Sequence, residues 1–371
     1  MYLKCNISIH VESLTTAFDS NGFPIFLTDA KDILTFTEVE IKNDWSKLGT
    51  DCDIILPLTV KIFNKGQYLI DNPKNLFKSG DRITIKAWYD GYAQLTVFEG
   101  FIYDFVEGTP IKMRCLDYYY FLKLGLVGRQ LTVNGQKVTG LQYPTGTIEQ
   151  VISDILQGTG ITLMDQHISF NVQGLSFVNV SPAYCLEWIK KELGITMNLF
   201  GNKLYFNLAD VTNTTINLKS DTNVLKCEMQ KPDGAFQKFK VQVNVKDQAG
   251  LKKMKEYFDK GNEDGEIHTY NLYCIPQNDK NFKSVVNNTL VSLKLGHYSG
   301  KITTLLYPNI NLFDAINYQD VRFPDRSGLY VVRGIVLKLD QNGFHQENSV
   351  AYLREFQPID AINPANSVYT A

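Results

Sequence analysis

The histidines of this 371-residue chain are the first side chains to consider for a catalytic or metal site. No two of them have the i, i+4 spacing that places a metal-binding pair on one helix face. The sequence also lacks the glycine motifs of a nucleophile elbow, a phosphate-binding loop and a dinucleotide-binding fold. We therefore expect no enzyme, and we assign no catalytic residue, no metal ligand and no cofactor. The isolated histidines are His10, His167, His268, His297 and His345.

The six cysteines are well separated, and no C-x-x-C occurs, so the pattern indicates neither a zinc site nor a redox dithiol. Several lie in apolar stretches, where cysteine behaves as a small hydrophobic residue. They are Cys5, Cys52, Cys115, Cys185, Cys227 and Cys274.

Acidic residues are concentrated in one predicted hairpin region, and two carboxylates are enough for a glycosidase. Turn formation explains such aspartates more simply. The aromatic run Tyr118–Phe121 could stack on a sugar, or it could fill a subunit interface. A carbohydrate-binding β-protein therefore stays open as an alternative. The acidic residues are Asp81, Asp90, Glu99, Asp104 and Glu107.

Composition argues against a nucleic-acid or membrane-binding protein. The formal net charge is −2, which gives no overall attraction to phosphates. The basic cluster Lys252, Lys253 and Lys255 has acidic residues nearby, and we interpret it as the solvated face of a polar helix near Gly250–Gly261. The N-terminus lacks signal-peptide features, and no apolar run approaches the roughly 18 residues of a membrane span. We expect synthesis in the cytoplasm and no membrane partner.

The elements form two β-rich regions around a mixed segment. The first 30 residues predict a short strand and a loop, with turn chemistry at Asp19–Gly22. Alternating apolar residues then predict strands, most clearly Ile83, Ile85 and Ala87, with a return strand Leu95–Ile102 after the Asp90-Gly91 turn. A further strand, Ile111–Cys115, ends near Asp117.

The middle segment has helical spacing. A capping box at Thr147 and Gln150 precedes apolar residues at helical intervals, and Gly158 ends the run. A second helix is predicted after Ser181-Pro182, followed by a hairpin over 197–206 around a Gly-Asn turn. The last third is predicted to be β again, with the polar helix described above and another helix at Phe282–Leu295.

An internal repeat is the most informative feature. The segment Phe77–Ile85 resembles Asn311–Tyr318, because in each a turn ends in aspartate and a strand follows. Apolar strands containing Gly100 and Gly334 come about 20 residues later, which predicts two copies of one β-domain. The alternative is a chance match, since any two glycine-containing hairpins would show a similar pattern.

The order of these segments resembles the tail hub family of phages, which includes the late control protein and the Mu-type baseplate hub proteins. Three segments carry the resemblance: Phe98–Asp117, Ser181–Tyr205 and Tyr307–Val336. The family usually has glycine before the aspartate of the closing barrel, where this chain has Phe313.

The resemblance implies a mostly β fold with an α/β insertion (α+β): two similar tail-tube-like β-barrel domains, 1–129 and 216–371, around a helix-strand module, 130–215. It implies the structural hub of a tail tip or baseplate in the virion, a homotrimeric ring that joins the sixfold tail tube to a threefold spike or tip. Other baseplate proteins are further expected partners, and DNA passes only in transit. The hub of a contractile injection or secretion system is the alternative within this architecture.

If DNA passes through such a ring, its inner wall should be polar and neutral to acidic, because lysine or arginine facing phosphates would retain the DNA. We expect Lys86 and Arg333 to be paired with carboxylates or turned to an interface. The candidate lumen-facing residues are Thr84, Lys86, Thr96 and Glu99 in the first hairpin and Asn317, Gln319 and Arg333 in the second.

Overall fold

The computed structural model describes residues 4–18, 24–133, 136–164, 171–193, 195, 197–206, 214–229, 239–246, 252–258, 266–271, 300–340, 343–352 and 369–370. Most of these residues lie in antiparallel strands, and the two longest of the described helices lie between the two β-rich regions.

The first β-rich region begins with a long hairpin and includes one three-stranded meander near its end. Its alternating apolar side chains enter one core, in which Ile83, Ile85 and Ala87 are completely buried, as their spacing predicts. The elements are β1 (Cys5–Phe18), β2 (Pro24–Ile33), β3 (Glu38–Asp44), β4 (Asp51–Leu56), β5 (Val60–Asn64), β6 (Gln67–Asp71), α1 (Pro73–Leu76), β7 (Arg82–Tyr89), β8 (Leu95–Val106), β9 (Ile111–Leu116) and α2 (Tyr119–Lys123).

The middle segment contains two helices and two three-stranded sheets. Each helix is capped as the sequence predicts: the Thr147 hydroxyl accepts from the Gln150 N–H, and the Ser181 hydroxyl accepts from the Tyr184 N–H. The elements are β10 (Arg129–Val133), β11 (Gln136–Thr147), α3 (Ile148–Leu156), β12 (Thr162–Leu163), β13 (Asn171–Val178), α4 (Pro182–Glu192), β14 (Met197–Phe200) and β15 (Lys203–Phe206).

The last third is β-rich, as predicted, and it includes one 3-10 turn at Pro324–Arg326. Its strands are β16 (Thr215–Lys219), β17 (Val224–Met229), β18 (Phe239–Lys246), β19 (Lys252–Phe258), β20 (Glu266–Asn271), β21 (Gly300–Thr304), β22 (Ala315–Gln319), β23 (Gly328–Asp340), β24 (Gly343–Tyr352) and β25 (Tyr369–Thr370).

One 15-stranded sheet joins the two β-rich regions. Its order is β17-β21-β24-β23-β3-β4-β9-β8-β7-β1-β2-β5-β6, with β22 and β16 branching from β23. β3 and β23 form the junction through seven antiparallel residue pairs, from Glu38 with Asp340 to Asp44 with Gly334. Leu337, Leu339 and Phe344 from the last third enter the core of the first region. These fifteen strands therefore form one open sheet, in place of the two expected barrels, and the described residues contain no closed barrel. Four other strands of the last third form a separate sheet in the order β20-β18-β19-β25.

Two local predictions were wrong. The first 30 residues form a hairpin with strands of 14 and 10 residues, in place of a short strand and a loop, because β1 pairs with both β2 and β7. Residues Lys252–Phe258 form strand β19, in place of the predicted polar helix, because they pair with both β18 and β25. The predicted turn at Asp19–Gly22 and the predicted helix at Phe282–Leu295 lie outside the described residues.

Candidate functional site

Four of the candidate lumen residues lie together on one face of the sheet. Thr84 is directly opposite Glu99, and Lys86 is opposite Thr96, across the β7–β8 pair. On the other side of β7, Thr84 is opposite His10 of β1. Because alternate residues of β7 enter the core, these polar side chains share the opposite, solvent-facing side of the sheet.

Charges on this face are largely paired. Arg82 Nη2 lies 2.6 Å from Glu99 Oε1, and Arg82 Nη1 lies 3.5 Å from Glu12 Oε2. Burial lowers the pKa of Arg82, but the hydrogen bond and charge of Glu99 outweigh burial, so that its pKa is raised overall. His10 Nδ1 lies 2.8 Å from Asp32 Oδ1. Lys86 is exposed and makes no ion pair among the described residues. The expected pairing with a carboxylate is therefore not seen for this lysine.

The second hairpin is built differently. Asn317 on β22 donates from Nδ2 to Asn217 Oδ1 of the parallel strand β16 at 2.9 Å. Gln319 is exposed at the end of β22. Arg333 is half-buried where the β23–β24 register shifts, and burial lowers its pKa while the nearby charge of Asp44 opposes that change. The charge of Asp44 therefore acts on Arg333 at the junction of β23 with β3.

The internal repeat is present in three dimensions as two matching turns that end in buried aspartates. Asp81 Oδ2 accepts from the Lys78 N–H at 2.8 Å, and Asp314 Oδ2 accepts from the Asn311 N–H at 2.7 Å. The backbone N–H of each aspartate donates in return: Asp81 to the Lys78 carbonyl and Asp314 to the Asn311 carbonyl, both at 3.2 Å. Asp81 is 3% exposed and Asp314 is 1% exposed, so each carboxylate serves the turn and not solvent.

The residue before each aspartate has left-handed backbone geometry. Gly80 has φ +91°, and Phe313 adopts φ +68° in the second turn although it carries a side chain. Its buried ring packs with Leu312, Trp45 and other aromatic residues, which stabilises the unfavourable backbone conformation. The second turn therefore keeps the backbone geometry of the first, although phenylalanine replaces glycine at this position.

The matching glycines, in contrast, are not equivalent. The Asp81 carbonyl accepts from Ile102, and the Asp314 carbonyl accepts from Val332, each at 2.9 Å. Ile102 and Val332 are therefore the equivalent positions of the two strands. Gly100 lies two residues before Ile102, whereas Gly334 lies two residues after Val332. The predicted glycine correspondence was wrong, because equal spacing in sequence does not fix the register of a β-ladder.

The acidic residues of the first hairpin region each have a partner. Asp81 serves its turn, and Glu99 binds Arg82, as described above. Asp90 Oδ1 accepts from Asn6 Nδ2 at 2.6 Å, and Glu107 lies 2.6 Å from Lys74 Nζ. Asp104 pairs with the guanidinium of Arg114. Each of these five carboxylates therefore has a structural partner.

The aromatic run Tyr118–Phe121 packs mainly on itself and on the sheet. Phe101 lies at its centre, 2% exposed, with the ring of Phe121 4.6 Å away and that of Tyr118 5.4 Å away, both edge to face. Lys123 Nζ lies 4.9 Å from the ring centre of Tyr103. The run therefore forms a small hydrophobic cluster on the face of the sheet away from the first core, beside Arg82 and Glu99.

A partly buried lysine, whose ammonium group is enclosed and which the sequence did not single out, joins α4 of the middle segment to the first region. Lys190 Nζ donates to three carbonyl oxygens: Trp45 at 2.6 Å, Met197 at 2.7 Å and Lys47 at 2.8 Å. Burial lowers the pKa of Lys190 to about 7, and the charges of Asp44 and Glu187 act in the opposite direction.

The core of the middle segment also includes residues from outside its predicted bounds, namely Leu48, Leu122 and Val127. Beside them, the Leu199 N–H donates to the Leu48 carbonyl at 2.8 Å. The junction between the first region and the middle segment is therefore packed and hydrogen-bonded.

Within the described ranges, no group of three or more histidine, cysteine, aspartate or glutamate side chains could hold a metal ion. The described helices include none that is both long and apolar enough to cross a membrane. Cys52 and Cys115 face each other across β4 and β9 as buried thiols, and burial raises the pKa of both.

No protein-family model and no curated protein sequence matches this chain. Solved structures share its fold over nearly the whole length. The tail protein from Neisseria meningitidis MC58 has a TM-score of 0.59 at 12% identity, covering 94% of this chain and 96% of that one. The 43 kDa tail protein of prophage MuSo2 from Shewanella oneidensis has a TM-score of 0.56 at 14% identity, covering 93% and 98%.

A type VI secretion component of E. coli, described as structurally similar to the T4 tail proteins gp27 and gp5, has a TM-score of 0.54 at 10% identity, covering 94% and 79%. The chain thus has the fold of phage tail proteins, and the resemblance seen in the sequence is confirmed at the level of the fold.

Proposed function

We propose that this chain is the structural hub of a phage tail tip or baseplate, and that it is not an enzyme. The observation that carries the proposal is the likeness to two tail proteins over more than nine-tenths of each chain. In this role it is made in the host cytoplasm, enters the virion, and contacts the tail tube protein, a spike or tip protein and other baseplate proteins.

A homotrimeric ring is the proposed assembly, because an internal repeat in each of three chains gives six related β-units. The two matching aspartate turns support two related β-units per chain, of which three chains would supply six. Such a ring would match a sixfold tube on one side and a threefold tip on the other. The middle module, 130–215, would then contact neighbouring baseplate proteins.

The polar face of β7 and β8 is our candidate for the channel wall. Its arginine is paired with Glu99 and Glu12, which limits the positive charge that could retain DNA. Lys86 is the exception, and we place it toward a neighbouring subunit. A strongly positive channel in the assembled ring would contradict this assignment.

A second candidate function is the hub of a contractile injection or secretion system. The fold likeness to a type VI secretion component favours it. Neighbouring genes distinguish the two: capsid, terminase and tape-measure genes indicate a phage, whereas a sheath set without capsid genes indicates an injection system.

Native mass spectrometry and electron microscopy of the purified full-length chain test the ring. We expect a mass of three subunits and ring-shaped particles. A monomer at concentrations of tens of micromolar, with no ring in assembled particles, would overturn the proposal, as would hydrolysis of peptidoglycan by the isolated chain.

A further inference from the structure

The large sheet has terminal strands with only one strand neighbour each among the described residues. β6 ends it on one side, and β17 and the β16 branch end it on the other. An edge strand presents unpaired backbone N–H and C=O groups, which monomeric proteins usually protect with lysine, proline or a bulge.

β6 has none of these protections. Its sequence, Gln-Tyr-Leu-Ile-Asp, contains no lysine or proline, and its pairing with β5 has no register shift. All five side chains are exposed: Tyr68 is 64% exposed and Ile70 is 70% exposed. Large apolar side chains at an unprotected edge are typical of a strand that pairs with another chain.

At the opposite end, β17 presents a complementary surface. A cavity of about 300 Å³ lies beside it, lined among others by Leu225, Val321 and Phe323. These three side chains are 53%, 63% and 51% exposed. The cavity has room for large side chains from outside, and its lining also includes two aspartates and two arginines, Asp221, Asp320, Arg322 and Arg326. β17 carries Lys226, paired with Glu228 at 2.5 Å, and a register shift against β21, so it is protected against regular strand pairing. What β17 offers to another copy is therefore its exposed apolar side chains and the cavity beside them.

The β16 edge is a poorer match. Its exposed side chains, Thr215, Asn217 and Lys219, are polar, and Asn217 is already bonded to Asn317. Of the two edges at this end, β17 therefore offers β6 the larger exposed apolar side chains, beside a mixed apolar and charged cavity.

We propose that β6 of one copy docks on the β17 edge of the next copy, with Tyr68 and Ile70 against Leu225, Val321 and Phe323. The contact joins two different patches of the same chain, so it is heterologous, and repetition around an axis closes a ring in which both patches are covered. This inference rests on the ring of the proposed function and names the surfaces that build it. A second copy is the occupant because one chain carries both members of the pair.

Photocrosslinking tests which surfaces meet. Tyr68 is replaced by the photoreactive p-benzoylphenylalanine, and isotopically heavy and light full-length chains are mixed before assembly and irradiation. Mass spectrometry should find crosslinks between position 68 of one copy and residues 224–229 or 321–323 of another. Crosslinks from 68 to 67–71 would show a two-fold contact, and crosslinks elsewhere or none within a ring would also overturn the proposal.

Two variants test the energetics. Ile70→Lys and Leu225→Lys should each raise the dissociation constant of the ring about tenfold or more, because each inserts a charge into a desolvated contact. Leu126→Lys is the matched control, since Leu126 is 53% exposed like Leu225 but lies outside both edges. Circular dichroism checks that each variant folds.

The outcomes separate the two proposals. If Ile70→Lys assembles as tightly as the wild type, the edge contact is refuted while the ring remains. If the wild-type chain is itself a monomer, both the ring and the edge contact are refuted.

Discussion

Replacing Lys190 by methionine should loosen the attachment of α4 to the first β-rich region. Methionine keeps a similar length and apolar stem but cannot donate a hydrogen bond. The Lys47 carbonyl would retain the Asn198 Nδ2 donor at 3.3 Å, whereas the carbonyls of Trp45 and Met197 would lose the ammonium.

The expected cost follows from those two carbonyls. A buried acceptor left without its donor costs about 1–3 kcal/mol, which gives roughly 2–6 kcal/mol for two. Methionine avoids the cost of burying a charge, so we expect a net loss near the low end, about 2–3 kcal/mol. Lys191→Met is the matched control, because Lys191 is the next residue along the same helix and is exposed.

Hydrogen–deuterium exchange measures the change locally. Peptides covering 182–199 and 45–50 should lose protection in Lys190→Met, by about thirtyfold or more in the opening equilibrium, and should not change in Lys191→Met. Equal exchange in the two variants would refute the reasoning, since it would mean that the three short contacts contribute no more than an exposed side chain.

Three further predictions concern stability. Burial lowers the pKa of Lys190 to about 7, whereas a lysine in the unfolded chain has a pKa of about 10.4. Between these two pH values the unfolded state therefore binds more protons than the folded state. The free energy of unfolding should therefore rise from pH 7 to pH 9 in urea titrations, and Lys190→Met should lose that component; an unchanged slope would contradict the assignment. Gly100→Ala should lower the free energy of unfolding by about 2 kcal/mol or more, because the added carbon would lie 2.3 Å from the Leu116 carbonyl oxygen. In the control Gly146→Ala the nearest atom is 3.5 Å away. Equal urea midpoints for the two variants would contradict the prediction. Ser181→Ala should cost about 1 kcal/mol by removing the cap of α4, measured as increased exchange in the first turn, and unaltered exchange there would count against the cap.

The sequence predicts local structure well where the signal is local. α3 and α4 begin directly after their capping residues, Thr147 and Ser181, because the capping hydroxyl and the apolar spacing are within a few residues of each other. The two aspartate turns were visible for the same reason, even with Phe313 in the place of glycine.

Features that depend on distant partners were not predictable. Strand β19 contains three lysines in a charge pattern that is typical of a solvated helix. It is a strand because it pairs with β18, which is a tertiary contact that its own sequence does not indicate. Lys190 stands beside Lys191 near the end of a helix, where lysine is usually solvated; the loop at Trp45–Lys47, far away in sequence, buries it. The candidate channel face was only partly predictable, since β7 and β8 are adjacent in sequence but Arg333 depends on β3.

The β3–β23 ladder has a consequence for synthesis. Its two strands are separated by almost 300 residues of chain, and Phe344 from the last third completes the first core. A ribosome that has released only the first region therefore exposes one edge of β3 and an incomplete core. Contacts of such long sequence separation form slowly, and exposed strand edges on a nascent chain favour aggregation. Truncated forms that end before residue 328 should accordingly be insoluble, and the chain should need either rapid completion or a chaperone until its last strands are made.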